Sequence, residues 1–324
     1  MRIGYFADGP WSHLALEKIV RDGRFEVCFI VPRYNSQDPV LADWARKLRV
    51  DFLPIQNVNA AESHAMLERY RADLFVSMSF NQILKRSILD LPPQGFINCH
   101  AGALPFYRGR NILNWALIND AREFGVTVHY IDEGIDTGDI IHRRTAPISD
   151  SDTYKTLLDR AVVLCADVLH EALVSLVSGV IHRQPQASIH PVGFYCGRRI
   201  HGDEWIDWSW SSRRIFNFVR AITIPGPCAR SVLNGHELLV RRAALIQDAI
   251  EYIGTPGEIV GLKGDGIVVK TGDSTILLVD VNSDTEIRFR IGLRLGLNYG
   301  SIVRELLQRV DSLEQYIRPS KATS

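Results

Sequence analysis

Arg2-Ile-Gly-Tyr-Phe-Ala7 is followed by Trp11 to Arg21, with Leu14, Leu16, Ile19 and Val20 near helical spacing, and then by Phe25 to Pro32, an apolar run closed by proline. The order is strand, helix, strand. Two strands joined through a helix lie parallel in one sheet, because the right-handed crossover returns the chain in the same direction. Ala42 to Leu48, Val50 to Pro54, His64 to Tyr70 and Leu74 to Phe80 repeat the rhythm. The expected fold is therefore α/β, with a mostly parallel twisted sheet between helical layers. Gly4 stands alone after the first residues, and neither GxGxxG nor GxxxxGK[ST] follows, so no dinucleotide or P-loop site is indicated.

Further along, Thr153 to Ser178 keeps a period near 3.6, with Ser149-Asp-Ser-Asp152 as capping material. Arg183 to Pro191 holds two prolines and little periodicity, which places a domain boundary at residue 190. Beyond it, one helix over Ser212 to Ile222 precedes short strands separated by Asn234-Gly, Pro256-Gly, Lys263-Gly-Asp-Gly266 and Gly272-Asp. That spacing predicts a small β-barrel or open antiparallel sheet, OB-like, over 191–300. Ser301 to Ile317 returns to helical periodicity before a polar tail, so 301–324 reads as a C-terminal helix and tail.

The 324 residues carry 37 basic and 37 acidic side chains, and this balance argues against a chain that wraps nucleic acid by global charge. A local basic patch would still meet phosphates. No run approaches the roughly 20 apolar residues of a spanning helix, and Asp8 comes too early for a signal peptide. A cytoplasmic protein without a membrane partner is expected. Cys28, Cys99, Cys165, Cys196 and Cys228 form no CxxC pair and are odd in number, so buried free thiols are expected rather than a metal site or a disulfide framework.

Gly95-Phe-Ile-Asn98-Cys-His100 reads as a strand whose end carries Asn98 and His100 on one side, where α/β sheets bind ligands. The glycine-punctuated, basic Ala101-Gly-Ala-Leu-Pro105-Phe-Tyr-Arg108-Gly-Arg110 suits a loop closing over substrate. Between strands Val126 to Ile131 and Ile140 to His142, Glu133-Gly-Ile-Asp136-Thr-Gly-Asp139 offers carboxylates on a turn. An amide donor, an imidazole and a carboxylate together suit acyl transfer, which needs a donor to a developing oxyanion, a proton shuttle and a group to position it.

These residues, with Asn114-Trp115, Gly125-Val-Thr127 and Asp136-Thr-Gly138, resemble the signature of the N10-formyltetrahydrofolate-dependent formyltransferases. Gly197-Arg-Arg199, Ile206-Asp-Trp208 and Asn217-Phe-Val-Arg-Ala221 are similar to the start of that family's C-terminal domain. The resemblance implies a Rossmann-like formyltransferase catalytic domain over 1–190 and N10-formyltetrahydrofolate as formyl donor. It makes His100 the catalytic histidine, Asn98 the oxyanion donor, and Asp136 the neighbour that favours protonated His100. It also places the folate along Gln82, Ile83 and Leu84, beside Arg110, and on the turn from Asp132 through Ile135 to Asp136.

For the acceptor, the resemblance points to the sugar branch. The branch acting on methionyl-tRNA typically continues its loop as Arg or Lys-Trp-Arg-Gly-Ala-Ala-Pro, whereas this chain has Pro105-Phe-Tyr-Arg-Gly-Arg-Asn111 and lacks an excess of positive charge. The expectation is thus a nucleotide-sugar N-formyltransferase, acting on a dTDP-4-amino-4,6-dideoxyhexose and most closely on dTDP-4-amino-4,6-dideoxyglucose, with no nucleic-acid partner. A methionyl-tRNA formyltransferase and a formyltetrahydrofolate hydrolase are the alternatives. Residues 198 to 242 hold eight arginines against four acids. Tyr195, Trp205, Trp208 and Trp210 offer faces for a nucleobase, or else fill the core, and Arg199 is the expected phosphate ligand. A homodimer through the C-terminal region, with Ile291 to Leu297 exposed, completes the expectation.

Overall fold

The computed structural model describes residues 1–180, 183–296 and 299–317. Its first part runs β1 (Arg2–Ala7), α1 (Pro10–Arg21), β2 (Glu26–Val31), α2 (Pro39–Leu48), β3 (Asp51–Phe52), α3 (Ala61–Glu68), β4 (Leu74–Met78), α4 (Arg86–Leu89) and β5 (Phe96–His100). These five strands are parallel, in the order β3-β2-β1-β4-β5. After the two-residue β6 (Arg108–Gly109) and α5 (Ile112–Ile118), β7 (Glu123–Tyr130) and β8 (Ile140–Pro147) extend the sheet antiparallel beyond β5. The order reverses between β1 and β4, which opens a crevice at the carboxyl ends of the strands.

The sheet holds because its central strands are buried on both faces, as parallel strands must be. Every residue of β4, and all but the first of β1 and β2, is buried. Phe6, Phe29, Phe75 and Phe96 come from four strands and meet in one cluster, with Phe6 centroids 4.8 Å from Phe96 and 5.2 Å from Phe75. The solitary Gly4 serves this cluster rather than a phosphate: a Cβ there would lie 2.3 Å from Phe29 Cζ and 2.7 Å from Phe75 Cδ1. α6 (Tyr154–Val177) packs against α1 and across β5, β7 and β8. Its cap is Thr153, one residue after the expected stretch, in a reciprocal box with Thr156. Asp152 instead accepts from Ser149 N–H and the Thr156 hydroxyl.

The chain divides into two compact units, one of Met1–Ala116 with Ala121–Arg199, the other of Leu117–Asp120 with Ile200 onward. The proline-bearing segment after α6 belongs to the first unit. Gln184 bridges to Ile140, a short 3-10 turn follows over Gln186–Ser188, and β9 (Tyr195–Cys196) pairs parallel with β6.

In the second unit, α7 (Ser212–Ile222), capped by Ser211, packs on a five-stranded antiparallel sheet. The strands are β10 (Ala229–Leu233), β11 (His236–Leu245), β12 (Ile259–Lys263), β13 (Gly266–Lys270) and β14 (Thr275–Asn282), in the order β10-β11-β14-β13-β12. Residues 294–296 bridge both edges, pairing Gly296 with Val232 and Arg294 with Glu258. That closure buries Leu295, so of the stretch expected to be exposed, Ile291 is exposed and Leu295 is not, while Leu297 lies outside the described residues. α8 (Tyr299–Ile317) follows, and the tail at 318–324 is likewise outside them. Among the described residues no helix is long and apolar enough to cross a membrane. All five cysteines are free thiols, and all but Cys196 are buried.

Candidate active site

At the end of β5, Asn98 and His100 stand beside β7, because the antiparallel register pairs Asn98 with His129 and His100 with Thr127. The turn after β7 brings Asp136 between the two imidazoles. Its Oδ2 lies 3.5 Å from His100 Nδ1 and its Oδ1 lies 3.5 Å from His129 Nε2. The three side chains expected from the sequence therefore converge, and His129 joins them.

Each ring has one nitrogen committed to a backbone carbonyl. His100 Nε2–H donates to Tyr107 O at 2.7 Å, and His129 Nδ1–H donates to Tyr130 O at 2.7 Å. A carbonyl only accepts, so these bonds fix the tautomers and turn His100 Nδ1 and His129 Nε2 toward Asp136. Asn98 Nδ2 lies 3.3 Å from His129 Nε2, which orients the amide.

Burial pushes the His100 pKa below the ordinary imidazole value and outweighs the pull of Asp136 and of the Tyr107 carbonyl toward the charged form. Asp136 favours the protonated form, as expected, but desolvation is the larger effect, and His100 rests neutral at pH 7. Burial also acts to raise the Asp136 pKa. There the pull of His100 and His129 in their protonated forms, and the Gly109 N–H, win, holding it well below the usual carboxylate range. Asp136 is accordingly a buried anion beside a neutral base.

The loop from Gly102 to Arg110 is the scaffold of this arrangement. Gly109 N–H donates to Asp136 Oδ2 at 2.9 Å, from a glycine with φ +98° whose Cβ position would lie 2.4 Å from Cys196 O. At Gly102 a Cβ would sit 2.5 Å from His100 Nε2 and 2.6 Å from Tyr107 O, inside the bond that fixes the ring. Thr127 Oγ1 ties the same loop, donating to Gly102 O at 2.7 Å.

Two further residues were not legible in the sequence. Gln186, buried in the supposed linker, donates through Nε2 to Asp136 O and Gly138 O, both at 2.8 Å. Its Oε1 accepts from Arg108 Nε at 3.0 Å and Nη2 at 2.7 Å. This clamp holds Asp136 in a left-handed conformation at φ 54°. No spacing motif announces Gln186 or His129, since their roles arise from strand register and from the return of the chain after α6.

The centre opens into a cavity of about 1130 Å³ within the first unit, lined among others by Gln82, Ile83, Leu84, Arg110, Asp132, Ile135 and Tyr195. Ile83 and Ile135 are exposed apolar side chains at this cavity and Leu84 is buried. The Gln82 amide is spent on structure, accepting from Val58 N–H at 3.0 Å and donating to Ile55 O at 2.9 Å. Asp132 accepts from Gly134 N–H and Thr137 Oγ1 and shapes the turn. The exposed Arg110 guanidinium makes no hydrogen bond or ion pair among the described residues.

Arg199 does not line the cavity. Its guanidinium stands over the Trp115 ring, 5.7 Å from the centroid, and its backbone N–H donates to Asn111 Oδ1. In the second unit, Trp208 is core, bonded through Nε1 to Ser231 Oγ at 3.0 Å, and Trp210 packs against Phe218. The core alternative holds for Trp208, whereas Trp210 is half-buried beneath Arg214.

Residues 34–175 match the model of the formyl transferase family, and residues 200–289 match that of the formyl transferase C-terminal domain. A methionyl-tRNA formyltransferase of Acetivibrio thermocellus is 31% identical over 299 residues, covering 90% of this chain and 94% of that protein. One from Citrifermentans bemidjiense is 35% identical over 299 residues, covering 90% and 92%. Among solved structures, an N-formyltransferase from Helicobacter canadensis, in complex with folinic acid and dTDP-3-aminofucose, aligns at a TM-score of 0.68 and 20% identity. It covers 86% of this chain and 99% of that one, a likeness of fold alone.

The relatives at 31–36% identity overturn the expectation of a nucleotide-sugar acceptor. The physical reason lies in the loop that suggested it. Tyr107 serves His100, Arg108 serves Gln186, and Gly109 serves Asp136, so Pro105 to Arg110 reports how the centre is built rather than which amine it accepts. N10-formyltetrahydrofolate is the formyl donor of this family. With both family models matched across the two units, and relatives aligned over nine-tenths of its length, the chain belongs to the formyl transferase family.

Proposed function

We propose that the protein transfers the formyl group of N10-formyltetrahydrofolate to the α-amino group of methionyl-tRNA. The observation that carries this reading is the identity of 31% or more with methionyl-tRNA formyltransferases, which extends through the second unit as well as the first. A balanced net charge does not exclude a nucleic-acid partner. It is a sum over the whole surface, whereas phosphate contacts are local. The stretch 198–242, with eight arginines against four acids, includes the exposed Arg198, Arg214 and Arg242.

The cavity is large enough for a reduced pterin and its formyl group, with the backbone of 81–84 and 131–135 along its wall. When bound, the donor supplies an electrophilic one-carbon unit. Asn98 directs an amide N–H toward the formyl oxygen and stabilises the negative charge that develops there as the amine attacks, a contribution of about 3–4 kcal/mol for one such donor. His100, neutral and held through Nε2, accepts the proton shed by the amine at Nδ1. Asp136 stabilises the imidazolium so formed, and the same proton passes to the departing nitrogen of the folate. His129 and Gln186 position Asn98 and Asp136. Arg110 and Tyr195, both lining the cavity and exposed, face the incoming acceptor end.

The test is tetrahydrofolate release in the presence of N10-formyltetrahydrofolate with initiator methionyl-tRNA, with dTDP-4-amino-4,6-dideoxyglucose, or with buffer. Release dependent on methionyl-tRNA, and falling steeply with added salt, is expected. Release at the same rate in buffer alone would identify a hydrolase and refute the reading, as would no response to methionyl-tRNA.

A further inference from the structure

α8 carries five large apolar side chains that are about half exposed: Val303 (53%), Leu306 (56%), Leu307 (57%), Val310 (48%) and Leu313 (55%). A helix of a globular domain normally buries such a stripe. Positions 303, 306, 310 and 313 are spaced three, four and three apart, and the sequence continues the pattern with isoleucine at 317. This is a heptad in which 303, 310 and 317 are a positions and 306 and 313 are d positions.

The rest of the register agrees with that assignment. The b, c and f positions hold Arg304, Glu305, Gln308, Asp311, Ser312 and Gln315, all polar. Every a position is β-branched and both of these d positions are leucine, the combination that favours two parallel strands over higher assemblies. The flanking charges name the partner. In a parallel, in-register pair, each g position faces the e position of the next heptad on the other helix. Arg309 at g then meets Glu314 at e, twice by symmetry. An antiparallel pair would set g beside g and e beside e, bringing like charges together.

We propose that α8 forms a parallel two-stranded coiled coil with α8 of a second copy of this chain, so that the protein is a symmetric dimer joined through its C-terminal helix. The occupant is a second copy because the seam is complementary to itself in heptad pattern and in charge. α8 is about 28 Å long and holds fewer than three full heptads, so the association is reversible and depends on concentration.

Sedimentation of the full chain from about 1 to 100 µM tests this, a range that brackets the midpoint of a micromolar dimer. The wild type is expected to pass from one to two chain masses. Leu306→Glu and Val310→Asp each raise the dimer dissociation constant by about 100-fold or more, while Gln308→Glu, at an f position, leaves it unchanged. Thermal melting of each variant checks that the fold is intact. Arg309→Glu and Glu314→Arg each weaken the dimer, and the double exchange restores it. A wild type that stays at one chain mass throughout, or a dimer that survives Leu306→Glu, overturns the proposal. A double exchange no tighter than either single variant overturns the parallel register.

Discussion

Replacing Asp136 by asparagine removes one buried charge while keeping the side chain's size and an acceptor for Gly109 N–H. Asp136 Oδ2 is 3.5 Å from His100 Nδ1. At an effective dielectric constant of about 20, a carboxylate and an imidazolium at that separation attract by about 5 kcal/mol. That attraction is absent while His100 is neutral and appears as it takes the amine proton, so its loss raises the barrier rather than weakening substrate binding. With part of the attraction screened by the neighbouring dipoles, the expected fall in kcat is about 10³-fold. KM for the formyl donor should stay within about twofold. Steady-state tetrahydrofolate release across a range of donor concentrations measures both. A kcat lowered by less than about tenfold, or a rise in KM with kcat unchanged, would refute the role given to this carboxylate.

Gln186→Leu leaves two carbonyls without their donor and the buried Arg108 guanidinium with only its Nη1 bond to Val192 O among the described residues, so stability should fall by about 3 kcal/mol, a drop in Tm of roughly 6–12 °C by calorimetry. Unchanged melting would mean that the clamp does not hold the Asp136 turn. Gly102→Ala puts a methyl group 2.5 Å from His100 Nε2; a loss of about 10²-fold in kcat with an intact fold is expected from displacement of the ring, and wild-type kcat would contradict it. Because burial lowers the folded-state pKa of His100, the unfolded chain binds the extra proton first as pH falls below about 6.5. The wild type should therefore lose stability between that pH and the lower folded-state pKa, whereas His100→Asn should lack this contribution. Parallel urea midpoints for the two proteins across that window would count against a neutral, buried His100.

Much of the architecture was legible because it is written locally. The alternation that begins at Arg2 and the fully buried, largely apolar run of β4 require a parallel sheet buried on both faces. Asn98 and His100 fall two apart at a strand end, where the pleat turns both the same way. Asp136 was legible only with the family signature beside it, since an acidic turn alone is ordinary.

Other features required the chain to be folded. His129 reaches the centre through the register of β7 against β5, and Gln186 through the return of the chain after α6. Both are contacts between segments distant in sequence, so no spacing encodes them. The neutral state of His100 was likewise decided by tertiary structure: the sequence supplied a carboxylate that would favour charge, and only burial made desolvation the larger effect. Gly4, solitary in the sequence, acquires its reason from Phe29 and Phe75 crossing it. The sequence by itself therefore determined which elements form and which chemical groups are present, because strand, helix and turn preferences act over a few residues. Which groups meet, and in which protonation state, was determined by the fold, because distance and dielectric environment are properties of packed space.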